Sequence, residues 1–414
     1  MEQKISLTNG VRVLIERLEH VHSAAIGFWI DTGSEQEGAE TNGICHFIEH
    51  MLFKGTERRT ALDIAQSLEA AGGNLNAFTD KEHTCFHARV LAEEVGLAID
   101  VLSDMLLNSR IDAKEVKRER EVIVEEIKMY DDTPDDLVHE LLSAAMWRDH
   151  PLGRPVTGSK ATVRSFDRET LTGFLRDFYT PDRLVVALVG KVDVEAVTAQ
   201  LEKAFAGFSQ PGRPVERPAL AHQAVTKVKY RDIEQVHLAM GLPGVSLVDE
   251  RRFALALLNS ILGGGMSSRL FQEVREKRGL VYSISSYESL YRPGGMFAIS
   301  AGMSPKHLPT VLKLVHEELA KVGAGDIGEK ELQDAKRQLR GGLLLSLEVP
   351  RHRMSRMAQN ELYYGRHISP EEILAAIDRV TPRDLQQLGA ELFPPDRVAM
   401  SVVGPIRKLP KSTW

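Results

Sequence analysis

The sequence predicts an α+β protein built from two homologous domains, each an antiparallel sheet with helices packed on one side. Three observations point there. At 414 residues the chain is too long for one ordinary core, since single cores stop growing at roughly 250 to 300 residues. Stretches with the alternation of half-buried strands are interleaved with longer stretches of helical period. A pattern also repeats: Pro181-Asp182-Arg183 before an apolar strand ending at Gly190 returns, 214 residues on, as Pro395-Asp396-Arg397 before an apolar strand ending at Gly404. The same spacing pairs His22 to Gly27 with Val236 to Gly241, and Leu171 with Leu385, as two copies of one fold would.

Taken in order, apolar alternation over residues 11–15 and 24–30 gives two strands, joined by the polar segment 16–22. A helix over 42–55 ends on Lys54 and Gly55, ordinary stop signals. A second helix, 60–71, stops at Gly72 and Gly73, and a hairpin-like pair, 74–79 and 83–91, follows. Helices are expected at 92–108, 112–130, 134–147 and 167–178, the last leading into an apolar strand at 184–189. Residues 209–225 carry Pro211, Pro214 and Pro218 among polar residues and show neither period, so they read as an extended linker. The expected domains are residues 1–208 and 226–414.

With 52 basic against 58 acidic residues the net charge is -6, which gives no electrostatic reason to expect a nucleic-acid or anionic-membrane surface. Proteins, peptides or small molecules are the expected partners. Cys45 and Cys85 are too few for a disulfide framework and suit a reducing compartment. The N-terminal residues enter a strand-like pattern without an apolar signal core, and no stretch approaches the roughly 18 apolar residues of a membrane span. A cytoplasmic protein with no membrane span is expected.

The chemistry is concentrated in the first helix. In His46-Phe47-Ile48-Glu49-His50 a four-residue step puts His46 and His50 on one face, one turn apart, where two imidazoles can converge on a metal. Glu49 borders that face and can reach a water on the metal without being a ligand. This is the H-x-x-E-H order of zinc peptidase helices. Ile44, Phe47, Ile48, Met51 and Leu52 make the helix a buried one, and buried histidines want a partner.

A catalytic zinc site takes three protein ligands and keeps one position open. The helix over 112–130 offers Glu115, Glu119, Glu121, Glu125 and Glu126. Glu119 and Glu126 lie two turns apart on a face shared with Val122 and Ile123, expected to point inward, whereas Glu121 and Glu125 belong to the solvated side. A rival cluster, His83, Cys85 and His87, lies on one side of a strand, but strand spacing spreads side chains by about 7 Å per step, poor geometry for one tetrahedral ion.

These segments carry a family resemblance over almost the whole chain. Gly43 to Thr56 resembles the zinc helix of the inverzincin peptidases, the family of pitrilysin, insulin-degrading enzyme and the mitochondrial processing peptidase, and looks most like its short bacterial processing-protease branch. Glu119 to Glu126 resembles the second motif, which implies Glu126 as the third zinc ligand and Glu119 as its support. Asn76 and Ala77 fall on a segment similar to the strand where the family binds substrate by strand addition. Arg275 and Tyr282 match its substrate-orienting pair. In the second copy Leu255, Leu258 and Asn259 stand where His46, Glu49 and His50 do, so that copy is expected not to bind zinc, and Gly263 to Gly265 resemble the family's glycine-rich loop.

The expected activity is that of a zinc metalloendopeptidase acting on extended peptides or unfolded segments, with Zn2+ on His46, His50 and Glu126 and with Glu49 as general base. Arg275 and Tyr282 would grip the substrate or its oxyanion, and the peptide would lie along Asn76 and Ala77. A homodimer is expected, or a heterodimer with a homologous subunit, in which the Arg275 and Tyr282 of one chain complete the zinc site of another. The alternative is a non-catalytic peptide-binding or assembly subunit of the same family, against which the intact His46 to His50 motif speaks.

Overall fold

The computed structural model describes residues 2–215 and 217–409; Met1, Glu216 and residues 410–414, which belong to the expected domain ends and linker, lie outside the described residues. The chain opens with β1 (Glu2–Ser6), β2 (Arg12–Arg17) and β3 (Ser23–Ile30), followed by α1 (Ile44–Leu52), α2 (Ala61–Glu69) and the hairpin of β4 (Asn74–Thr79) and β5 (Thr84–Leu91). Helices α3 (Val95–Asn108), α4 (Ala113–Asp132), α5 (Pro134–Met146), α6 (Lys160–Ser165) and α7 (Arg168–Phe178) lead to β6 (Leu184–Gly190) and α8 (Val194–Phe205). Local chemistry explains the starts. The side chains of Thr60, Ser159, Asp167 and Asp193 accept from backbone N–H groups opening α2, α6, α7 and α8. The second half repeats the plan with β7 (Thr226–Tyr230), β8 (Val236–Gly244), α9 (Arg252–Leu262), β9 (Val281–Tyr291) and β10 (Gly294–Met303). It ends with α10 (Leu308–Gly323), α11 (Glu329–Ser346), α12 (Pro350–Tyr364), α13 (Pro370–Arg379), α14 (Pro382–Leu392) and β11 (Ala399–Gly404).

The protein is a two-domain α+β fold whose two compact units are interleaved along the sequence. The first unit runs to Lys128 and adds Pro155–Arg217 and Leu345–His367; the second holds Met129–Arg154, Pro218–Leu344 and the chain from Ile368 on. The first sheet has the order β1-β2-β6-β3-β5-β4 and the second β7-β11-β8-β10-β9. All pairs are antiparallel except β2 with β6 and β7 with β11, where a strand that opens each unit lies beside the strand that closes it. A parallel pair needs a long crossover, and here most of a unit supplies it.

Helices gather on one face of each sheet, and a single helix exchanged in sequence covers the other. In the first unit α12, from the second half of the chain, sets Met354, Met357 and Ala358 against Leu14, Ala25, Trp29, Val185 and Val189. In the second unit α5, from the first half, and its C-cap Trp147 set Leu137, Leu142, Met146 and the Trp147 ring against Ala239, Ala298, Ala399 and Val403. The strands demand this cover, because β6 is buried at every position and so has no solvent face. Gly27 and Gly241, counterparts at the repeat spacing, make room for the exchanged helices. A Cβ on Gly27 would stand 2.7 Å from Met354 Sδ, and one on Gly241 3.0 Å from Met146 Sδ.

Polar contacts fix these helices in register. Glu361 of α12 pairs with Lys4 at 2.8 Å and with Arg12 at 3.3 Å, and Tyr363 donates to Glu82 at 2.8 Å. On α5, His139 bonds Tyr287 at 2.6 Å, and Trp147, the residue that caps its C-terminus, donates to His222 at 3.1 Å. The expected linker has no helix or strand among its described residues, but it is tied down along its length. Arg213 N–H donates to Asp177 O in the first unit, and Gln223 N–H to Met146 O in the second, each at 3.0 Å. No helix among the described residues is long and apolar enough to cross a membrane.

Candidate metal centre

Helix α1 is held at both ends by residues outside it. Its N-cap, Gly43, has φ 96°, a left-handed conformation open to glycine, and offers no capping side chain. Glu37 does that work from the preceding loop. Its carboxyl accepts from Gly43 N–H at 2.7 Å, Cys45 N–H at 2.9 Å and Asn42 Nδ2 at 2.8 Å at the positive end of the helix; burial raises this group to about 7, and those hydrogen bonds oppose the rise. Just past the other end, Lys54 Nζ donates to Glu119 Oε1 at 2.7 Å. Ile44, Phe47, Ile48, Met51 and Leu52 are buried in the first unit's main core, which fixes the rotation of the helix.

That rotation turns His46 and His50 toward α4, their rings 4.7 Å apart. Glu126 reaches both: its Oε1 lies 3.6 Å from His46 Nε2 and its Oε2 3.6 Å from His50 Nε2. Two donors on one tetrahedral zinc ion, each about 2.05 Å from it, stand about 3.4 Å apart, so these separations suit a shared ion better than a hydrogen bond. Among the described residues this is the one group of three such side chains whose ligand atoms all lie within 4.8 Å of one another. His46 Nδ1, the ring nitrogen that is not beside Glu126, is buried and makes no hydrogen bond.

The electrostatics agree. Burial first, and the neighbouring His50 second, push the His46 imidazole down to about 3, leaving it neutral with a lone pair to give. Burial raises the carboxyl of Glu126, only partly offset by His50. Glu119 behaves oppositely: burial would raise it, but hydrogen bonds from His50 and Lys54 outweigh burial and hold it below the usual range. Glu119 Oε2 lies 3.1 Å from His50 Nδ1, which directs the other nitrogen of that ring toward Glu126. Glu49, half-buried and raised by burial, turns one oxygen to the Thr79 hydroxyl at 2.6 Å, a bond that opposes the rise.

The structure thus brings His46, Glu49, His50, Glu119 and Glu126 together in the first unit. Asn76 and Ala77 sit in the same unit on β4, the last strand of its sheet, with one backbone edge unpaired by any strand among the described residues. Ala77 N–H donates to Asn76 Oδ1 at 2.8 Å. Arg275 and Tyr282 belong to the second unit: the guanidinium of Arg275 lies over the Phe271 ring, 4.7 Å from its centroid, and Tyr282, at the start of β9, is 77% exposed. In α9, Leu255 and Leu258 are buried core and Asn259 Oδ1 accepts from Ser286 at 2.6 Å.

Two sequence expectations change. Val122 was expected on the inward face of the acidic helix, yet it is 50% exposed while Ile123 is fully buried, because the buried stripe runs through Val116, Glu119, Ile123 and Ile127. His83, Cys85 and His87 form no shared site among the described residues: His83 lies 2.8 Å from Asp80, Cys85 is fully buried, and His87 lies beside Arg351, with burial first and that cation second lowering its imidazole to about 4. Sequence reasoning missed the parts played by Glu37 and Thr79 and took Lys54 for a stop signal alone. Their partners are backbone groups or distant in sequence, which no local pattern marks.

Comparison with known proteins adds a second line. Residues 12–160 match the pattern described as insulinase, peptidase family M16, and residues 165–339 match the peptidase M16 inactive domain. An uncharacterized zinc protease of Bacillus subtilis is 42% identical over 412 residues, covering 99% of this chain and 100% of its own. One from Streptomyces coelicolor is 41% identical, covering 98% and 90%. Among solved structures, a peptidase M16 inactive domain from Pseudomonas fluorescens superposes with TM-score 0.92 at 22% identity, covering 98% of each chain. A protease from Helicobacter pylori does so with TM-score 0.92 at 21% identity, covering 98% of this chain and 99% of its own.

Proposed function

The chain belongs to the insulinase family of peptidases, family M16, and from that premise we propose that it is a zinc metalloendopeptidase of extended peptides and unfolded segments. The observation that carries this reading is the position of Glu126, equally far from the Nε2 atoms of His46 and His50. Those three residues would hold the ion. When bound, zinc supplies Lewis acidity to a scissile carbonyl and brings the pKa of water toward about 7.

The remaining work falls to the chain. Glu49 takes the proton of the attacking water and returns it to the leaving amine. Glu119 holds the His50 ring by its Nδ1, and Lys54 neutralises the charge that Glu119 keeps. The open edge of β4 at Asn76 and Ala77 recognises peptide backbone by strand addition, which selects extended over folded substrates. Arg275 and Tyr282 orient the substrate, acting from one copy of the chain on the zinc site of a second in a two-fold dimer.

The test is hydrolysis of a quenched, unstructured peptide by the purified protein, with removal and return of zinc. Cleavage that stops with a chelator and resumes with zinc supports the reading. A zinc-loaded protein that binds the peptide and leaves it intact would establish the assembly-subunit reading instead.

A further inference from the structure

Among the described residues, the side chain of Glu49 hydrogen-bonds outside its helix to Thr79. Its Oε2 accepts from Thr79 Oγ1 at 2.6 Å, at the short end of the range for a hydroxyl on a carboxylate. Glu49 is a long side chain that, on its helix alone, could adopt several rotamers. Thr79 is far more constrained. It is the last residue of β4 and pairs with Thr84 of β5. The turn that follows is closed by Asp80 Oδ1, which accepts from the N–H groups of Glu82 and His83 at 2.8 Å each. Ser34 N–H donates to Asp80 O at 3.0 Å and Glu35 N–H to Lys81 O at 2.7 Å, pinning the turn to the loop before α1.

We propose that Thr79 is the positioning residue of the catalytic base: its hydroxyl fixes one oxygen of Glu49 and leaves the other, Oε1, to face water. The proposal rests on the reading of Glu49 as the base. It gives β4 a second duty. Asn76 and Ala77, which would take the peptide backbone, stand three and two residues from Thr79, whose hydroxyl orients the carboxylate, so substrate and base are referred to one rigid strand. An error of about 1 Å between such groups is enough to slow a reaction by about 10²-fold.

Thr79→Val keeps the shape and removes the donor; Thr79→Ser keeps the donor. With zinc content equal to wild type in both, Thr79→Val is expected to lower kcat about 10- to 100-fold with KM changed by less than about 3-fold, and Thr79→Ser to recover most of kcat. Thermal unfolding of the metal-free protein gives a readout independent of turnover. The Tm shifts of Glu49→Ala and Thr79→Val are expected not to add in the double variant, since each removes the same bond. Unchanged kcat in Thr79→Val, equal loss in Thr79→Ser, or additive Tm shifts overturns the proposal. If Glu49→Ala itself retains turnover, the base assignment falls and the role of Thr79 falls with it, an outcome distinct from an inactive Glu49→Ala beside a fully active Thr79→Val.

Discussion

Glu126→Gln is expected to weaken zinc binding by about 100-fold or more, while Glu125→Gln, one residue away, changes it by less than about 2-fold. The estimate starts from closed four-ligand zinc sites, which gain roughly 10 to 16 kcal/mol on binding. One ligand in four then accounts for about 3 kcal/mol, or about 10² in affinity. Little stands ready to compensate, because the nearby carboxylate of Glu119 is engaged by His50 and Lys54. Glu125 is 69% exposed in its side chain and pairs with Lys128 at 2.6 Å, an i,i+3 contact worth about 0.5 kcal/mol at most, and is not one of the three clustered side chains. Glu119→Gln should fall between them, with a loss of about 10- to 100-fold, as the outer partner of a ligand. Competition with a chelator of known affinity, followed by metal analysis, measures all three. Equal losses at 125 and 126, or the reverse order, would refute the facing of α4 on which the site is built.

Three further outcomes are expected. Glu49→Gln keeps its zinc and loses turnover by about 10² to 10⁴, the usual worth of a general base, read as kcat beside metal content. Mixing Glu49→Gln with Arg275→Ala under conditions that exchange subunits restores activity, because a mixed pair joins an intact Glu49 to an intact Arg275; exchange shown by mass without recovery would confine the two to one chain. Glu288, with Oε2 buried and unpartnered, has its carboxyl pushed by burial from 4.5 up to about 7. The folded state therefore binds that proton more tightly than the unfolded one, so the contribution of Glu288 is favourable below about pH 4.5 and is lost as pH rises to about 7. Glu288→Gln should leave stability at pH 4 nearly unchanged and raise it at pH 8 by up to roughly 3 kcal/mol, and equal shifts at both pH values would contradict the burial argument.

What could be read from sequence was whatever local geometry settles. The four-residue step from His46 to His50 fixes a shared face in any helix, and the seven-residue step from Glu119 to Glu126 fixes another. Periodicity alone could not choose between those two glutamates, since both face inward; they differ in the structure by reaching opposite nitrogens of His50. It misjudged Val122 because a stripe wide enough to hold positions 119 and 126 has two edges, and only Ile123 lies on the packed one. Glu37 and Thr79 stayed hidden for a different reason: one grips backbone N–H groups and the other a side chain 30 residues away in sequence. The exchange of α5 and α12 was beyond a pattern reading too, because an amphipathic helix announces that it will be buried and says nothing about where. Gly27 and Gly241 were its one trace, aligned by the repeat long before the methionine above each could be known.

That exchange sets a timetable for biosynthesis. A ribosome releases the strands of the first sheet early, but the helix that shields Leu14, Trp29 and Val185 is encoded after residue 345. At roughly 5 to 20 residues per second, the nascent chain carries that apolar surface wet for on the order of 10 to 30 s after residue 217 is made. The second sheet has no such wait, since α5 is already synthesised when β7 emerges. Completion of the half that carries His46, His50 and Glu126 therefore waits until most of the other half has been made, an interval in which chaperone capture and aggregation compete with folding.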